Sequence, residues 1–248
     1  MTGAVYLLFF VTAVLSALLP PRIGGGPVGL PGDAAAVAGK IVADKGWYEL
    51  GVVVGLFSTA CYVALAGLFY ALFRPVSRIL SLLAALFSLT GCAVAAVGSV
   101  FQLAPLTVLG GSRYLGVFGA VQRQAMALMF LHLGEEAGRV ALIFFGCFQL
   151  LLGYLIIRST FLPRVIGVLI ALAGVGWLTF LSPPVETHLS VELEILGLVA
   201  EVSLMLWLLV RGVDGQRWTQ LANQAAVPAG AGPAGHATVG GRGQKIAG

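Results

Sequence analysis

Glu201 is the residue of this chain whose type and position most need a chemical explanation. It lies in the apolar stretch 193–210, ten residues before Arg211, which is about 15 Å of helical rise. If that stretch crosses a bilayer, the carboxyl sits near the midplane. An ionised group is costly there, and ionisable side chains within spans face a bundle interior or a cavity. Glu194 comes seven residues earlier, on nearly the same helical face, with Gly197 between the two. Together they draw a polar stripe running inward from the outer surface. Two kinds of chemistry fit it: taking up a proton, or holding a cationic solute. A third reading is structural, a protonated Glu hydrogen-bonded across helices to fix their packing. The apolar stretches offer Gln149, Gln102, Ser99 and Tyr62 as partners. Gln149 shares a face with Gly146 and Gly153, so a neighbouring helix can come close to it. The binding residues expected from the sequence are therefore Glu201, Glu194 and Gln149.

Other chemistry-bearing patterns are weaker. Glu135, Glu136, Glu186, Glu192 and Glu194 accompany His132 and His188 in the connections. They show no HExxH or DxxD spacing on one helix, so a solvated acidic face is expected in place of a metal site. Glu135 and Arg139 have the i,i+4 spacing of a helix ion pair. Cys61, Cys92 and Cys147 lie inside apolar stretches without CxxC spacing and read as small buried hydrophobes. Gly24-Gly25-Gly26-Pro27 lacks the GK[ST] of a phosphate loop. Ser190 and Ser203 have no GxSxG context. No cofactor and no catalytic residue is expected. An intramembrane enzyme built on Glu201, His132 and the outer acids would require His132 close to Glu201 in space.

The elements that must position these residues are apolar helices. Of 248 residues, 59% are hydrophobic and only 10% charged, against about 25% charged in soluble domains. The mean hydropathy is +0.99. In water such a chain would expose too much apolar surface, so its solvent must be lipid. The formal charge of +4 comes from basic residues scattered at helix ends. That pattern speaks for topology and anionic lipid and against nucleic acid.

Six stretches are candidate spans, the first of them short: 4–19, 50–73, 79–101, 140–157, 165–181 and 193–210. Pro20-Pro21, Arg74-Pro75, Pro105, Arg158, Pro183-Pro184 and Arg211-Gly212 close them in turn. The first lacks the basic flank of a signal peptide. The segment 114–133 is apolar too, but Gln122-Arg123-Gln124 lies at its centre, and a central Arg costs about 2.5–3.5 kcal/mol on insertion scales. It is therefore expected as a short interfacial helix before the fourth span. Asp33 is placed to cap a short helix running towards Lys45. Gly51, Gly55 and Thr59, and likewise Gly91, Ala95 and Ser99, form small-residue stripes suited to helix packing.

Charge supports six spans. One side collects Arg74, Arg78, Arg158, Arg164, Arg211, Arg217, Arg242 and Lys245 against Asp214 alone. The other holds Arg22, Lys40, Lys45, Arg113, Arg123 and Arg139 among Asp33, Asp44, Glu49 and the acids of the outer connections. A seventh span would blur that bias. The positive-inside rule then puts both termini in the cytoplasm. Arg outnumbers Lys, and Ala and Gly abound, as in proteins of GC-rich bacteria, so a bacterial inner membrane is expected. Residues 1–213 form the six-helix domain. The tail 214–248, ending in the Gly/Ala/Pro-rich run after Pro228, carries too little apolar surface to fold and is expected to be disordered.

Several runs have a familiar form: Phe144-Phe145-Gly146, Leu151-Leu152-Gly153-Tyr154-Leu155-Ile156, Arg158-Ser159 and Phe161-Leu162-Pro163-Arg164-Val165-Ile166-Gly167. With Gly32-Asp33, Leu72-Phe73-Arg74-Pro75-Val76, Glu201-Val202-Ser203-Leu204 and Leu206-Trp207-Leu208-Leu209, the chain from about residue 4 to 212 resembles the bacterial DUF4386 family. The resemblance implies a multi-spanning membrane protein and implies no reaction. It departs at the start, where Met1-Thr2-Gly3 lacks the basic residue that usually precedes the first span. The reading is thus an all-α polytopic membrane protein whose partners are the bilayer and a small solute or proton at Glu201. The alternative is a structural or sensory membrane module acting through protein partners.

Overall fold

The computed structural model describes residues 2–19, 33–111, 115–179 and 183–226, and for 183–191 and 224–226 the backbone alone. Over these residues the chain is helical: α1 (Thr2–Leu18), α2 (Ala34–Ala43), α3 (Lys45–Phe73), α4 (Arg78–Leu109), α5 (Ala120–Arg158), α6 (Arg164–Thr179), α7 (Pro183–Val210) and α8 (Gly215–Ala226). Four helical segments are long and apolar enough to cross a membrane: α3, α4, α5 and the 192–210 part of α7. The helices α1 and α6 are as apolar but shorter. With water unable to serve backbone groups in lipid, helices are the form such sequences must take.

The long helices and α1 and α6 close into a ring. α1 packs on α3, α3 on α4, α4 on α5, α5 on α6, α6 on α7, and α7 returns to α1. Its axis is filled from one end by Phe69, Phe73, Phe148, Leu152, Leu155, Ile156 and Phe161, all buried. Glycines set the closest approaches. On α5 and α6, Gly153 faces Gly167 and Gly146 faces Gly174. A methyl on Gly153 would stand 2.6 Å from the Gly167 carbonyl oxygen, and one on Gly174 would stand 2.9 Å from that of Gly146. Without side chains between them the two backbones meet, which is how helices gain packing energy where lipid offers no hydrophobic drive. A second, smaller core sits at the other end, where Val37 and Ile41 of α2 bury against Tyr48, Val52 and Leu131.

Asp33 caps α2 as expected, accepting from the amides of Ala35 and Ala36. The run Gly24-Gly25-Gly26-Pro27 lies outside the described residues. Three expectations need correction. The third apolar stretch does not end before Pro105; α4 continues through it to Leu109. Proline removes the helical hydrogen bond to the Phe101 carbonyl, a loss helices tolerate when neighbours pack around them; one residue on, Tyr48 donates to the Gln102 carbonyl at 2.6 Å. Nor is there a separate interfacial helix before the fourth span: Ala120–Arg158 is one helix of 39 residues. Gln122-Arg123-Gln124 forms its first turn and not the centre of a segment, with Gln122 accepting back from the Gly119 amide. At about 58 Å of rise, α5 exceeds a ~30 Å hydrocarbon layer and can keep that turn outside it.

The third correction concerns the tail. Residues 215–226 are helical, and of the tail only 227–248 lie outside the described residues. Asp214 caps α8, accepting from the amides of Gln216 and Arg217. Trp218 and Leu221, three apart, turn towards the main core. Tertiary bonds hold the helix: Trp218 donates to the Leu72 carbonyl at 2.9 Å and Arg217 to the Thr160 carbonyl at 2.9 Å. Thus α8 ties the α3–α4 turn to the α5–α6 turn, at the end where Arg74, Arg78, Arg158, Arg164 and Arg211 also lie.

Candidate functional site

Glu201 projects from α7 and accepts a hydrogen bond from Gln149 of α5, Nε2 to Oε1 at 2.8 Å. These helices are not neighbours in the ring, because α6 lies between them. Gly174 makes the bond possible: a methyl there would sit 3.1 Å from Cβ of Gln149, so the bare backbone lets the Gln side chain pass over α6. Gln149 is only 2% exposed. Its Oε1 has no hydrogen-bond partner among the described residues. A buried acceptor left without a donor forfeits the hydrogen bonds it had in water.

Both side chains line a cavity of about 190 Å³. Phe9 of α1, Tyr62 of α3, Phe145 of α5 and Trp177 of α6 form much of its wall, with Ser58, Thr59, Cys92, Ala95 and Leu142 completing it. The rings run on from one another, Phe9 to Tyr62 at 4.7 Å and Tyr62 to Phe145 at 5.2 Å between centroids, both edge to face. Glycines seat two of them. Phe145 lies where a side chain on Gly91 would be, 2.9 Å from the missing methyl, and Trp177 does the same at Gly197, at 2.8 Å. The hydroxyls of Ser58 and Thr59 already donate to the carbonyls of Phe9 and Gly55. Among the described residues no Arg, Lys or His lines it. The cavity is therefore a mostly carbon-walled chamber whose polar groups include one carboxyl and a buried amide oxygen without a donor among the described residues.

The expected site residues fare differently. Glu201 and Gln149 are brought together, and Tyr62 shares their cavity. Glu194 does not line it, although the spacing put it on the same face. Gly197 lies between the two acids, and the Trp177 indole on it interrupts the expected stripe. Ser99 donates within its own helix to Ala95, while Gln102 lies in the turn that receives Tyr48; neither lines the cavity. His132 pairs with Glu135 at 3.3 Å, and Arg139 reaches Glu136 at 3.3 Å. Seventeen residues of α5 separate His132 from Gln149, about 25 Å of rise, which sets the His apart from Glu201. The side chains of Glu186 and His188 lie outside the described residues. Cys61 and Cys92 are buried and Cys147 is partly buried, all as free thiols.

Sequence reasoning assigns no role at this site to Phe9, Phe145 and Trp177, since aromatic residues in apolar stretches look alike whether they face lipid or an interior. A usable signal does exist for the seam. Gly146 and Gly153 on one helix and Gly167 and Gly174 on the next share a seven-residue spacing, as two antiparallel helices in close contact require.

The helices that build this chamber are shared with other proteins. The profile of a family described as a domain of unknown function, DUF4386, matches residues 1–212. The chain belongs to the DUF4386 family. The match takes in every helix of the ring and stops before α8. An uncharacterized protein of Archaeoglobus fulgidus is 26% identical to this DUF4386 chain over 162 residues, covering 64% of the chain and 83% of the relative. No solved structure matches.

Proposed function

We propose that this DUF4386 protein is an integral membrane protein in which a small solute or a proton binds at, or passes through, the chamber around Glu201. One observation carries the reading: a carboxyl within an apolar ring opens onto a cavity that no basic side chain lines among the described residues. A structural carboxyl would be packed on every side, whereas ionisable groups kept within membrane helices mark substrate and proton paths.

Six crossings are part of the proposal. The helices α1 and α6, of 17 and 16 residues, rise about 26 and 24 Å, a little less than a ~30 Å core, and a bilayer thins to meet such lengths. Their support is ring closure, which needs both of them. The arginines gathered at the α8 end make that end cytoplasmic under the positive-inside rule, with both termini inside a bacterial inner membrane. A membrane-impermeant maleimide then labels Lys45→Cys in intact cells and leaves Arg78→Cys untouched until the cells are lysed. The reverse pattern overturns the orientation.

The functional test is Glu201→Gln in proteoliposomes. Loss of a proton or solute flux with an unchanged unfolding midpoint supports the reading; an unaffected flux sinks it. The alternative, a structural or sensory module acting through protein partners, draws on the Gln149–Glu201 bond tying α5 to α7. It expects the same substitution to lower stability or partner recovery while no small molecule binds.

A further inference from the structure

We propose that the Glu201 chamber takes a small protonated amine, an organic cation carrying at least one N–H on a compact apolar body. The inference rests on the reading of the chamber as a binding site and names the class of its ligand.

Three features define that class. The first is charge. Among the described residues Glu201 is the one acidic or basic side chain on the wall, and a carboxylate withdrawn from water is stabilised by a cation brought beside it. A neutral solute would leave it uncompensated. The second is the wall. Phe9, Tyr62, Phe145 and Trp177 surround the carboxyl's chamber, and the faces of such rings attract cations, most strongly ammonium groups already stripped of water. An alkali metal ion needs a shell of oxygens, and most of this wall is carbon. The third is the free Oε1 of Gln149, buried and without a donor. The amide is turned so that its Nε2 serves Glu201. An ammonium N–H placed beside Glu201 can also donate to that oxygen. A quaternary ammonium has no hydrogen to give. Size agrees as well: apolar cavities of about 150 Å³ hold a benzene-sized molecule, and this one measures about 190 Å³. A site for a bare proton would need no such volume.

The test uses three probes of one shape on the purified full-length protein in nanodiscs: tert-butylammonium, tetramethylammonium and tert-butanol. They differ in charge and in N–H donors. Calorimetric titration is expected to show tert-butylammonium binding at least tenfold more tightly than either of the others, a difference of about 1.4 kcal/mol. Glu201→Gln is expected to remove that advantage. Should that variant not fold, Ala95→Phe, which fills the chamber from α4, is expected to abolish binding of all three. Equal binding of tert-butanol, or binding unchanged by both variants, overturns the proposal. Tetramethylammonium binding as tightly as tert-butylammonium overturns it too, because the Gln149 oxygen then has no part. If no probe binds while a proton flux in proteoliposomes still depends on Glu201, the amine falls and the broader reading stands. If neither binding nor flux depends on Glu201, both fall.

Discussion

The two halves of the ring are built from the same material and packed to opposite ends. At the arginine-rich end, Phe69, Phe73, Phe148, Leu152 and Leu155 surround an interstice of about 10 Å³. Towards the other end, Phe9, Tyr62, Phe145 and Trp177 leave about 190 Å³. Poor packing in general would have loosened both halves. The space lies where the carboxyl is, and Gly91 and Gly197 let the Phe145 and Trp177 rings lie close against the neighbouring helices α4 and α7. Close packing is the norm in protein interiors, so a void inside the ring beside a partly buried acid points to an occupant.

That contrast can be broken by paired substitutions. The largest effect is expected at the filled end. Phe73→Ala, at a fully buried ring, should lower stability by about 3 kcal/mol, read from an unfolding titration in mixed micelles. Phe145→Ala, on the wall of a chamber already present, should cost less than half as much. Equal losses would mean the chamber collapses in solution. The same small-to-large change should then act differently in the two halves. Ala84→Leu pushes into the filled core and should destabilise by about 1–3 kcal/mol. Ala95→Leu grows into open space, so its unfolding midpoint should stay put while ligand binding is lost. A finer test concerns α8. Trp218→Phe deletes the bond to the Leu72 carbonyl, worth about 1 kcal/mol. It should speed amide exchange over 215–226 and leave the ring unchanged.

Much of this is readable in the residue order and some of it is not. Helical stretches stand out because long apolar runs kept from water satisfy their backbones best as helices. Glu201 and Gln149 stand out because polar residues in such runs are rare. The errors share a cause. Pro105, Gln122-Arg123-Gln124 and the polar start of the tail each read locally as a breaker or a solvated segment. Tertiary partners overrule each reading: Tyr48 beside the proline turn, a helix long enough to carry its charged turn beyond the apolar layer, and the Leu72 and Thr160 carbonyls waiting for α8. Periodicity places Glu194 with Glu201, and it cannot see that Trp177 from another helix lies between them.

What the sequence by itself determined is the apolar helices, the bias of arginines to alternate connections, and a lone carboxyl deep in the last long apolar stretch. These come from composition and spacing, because each long apolar stretch satisfies its own backbone as a helix whatever its neighbours are. What only the tertiary structure decided is that α1 and α7 close the ring, that Gln149 crosses α6 to reach Glu201, and that four aromatic rings from four helices leave a chamber around that pair. Those contacts depend on which face of each helix meets which neighbour, and in an evenly apolar helix little in the residue order marks one face from another.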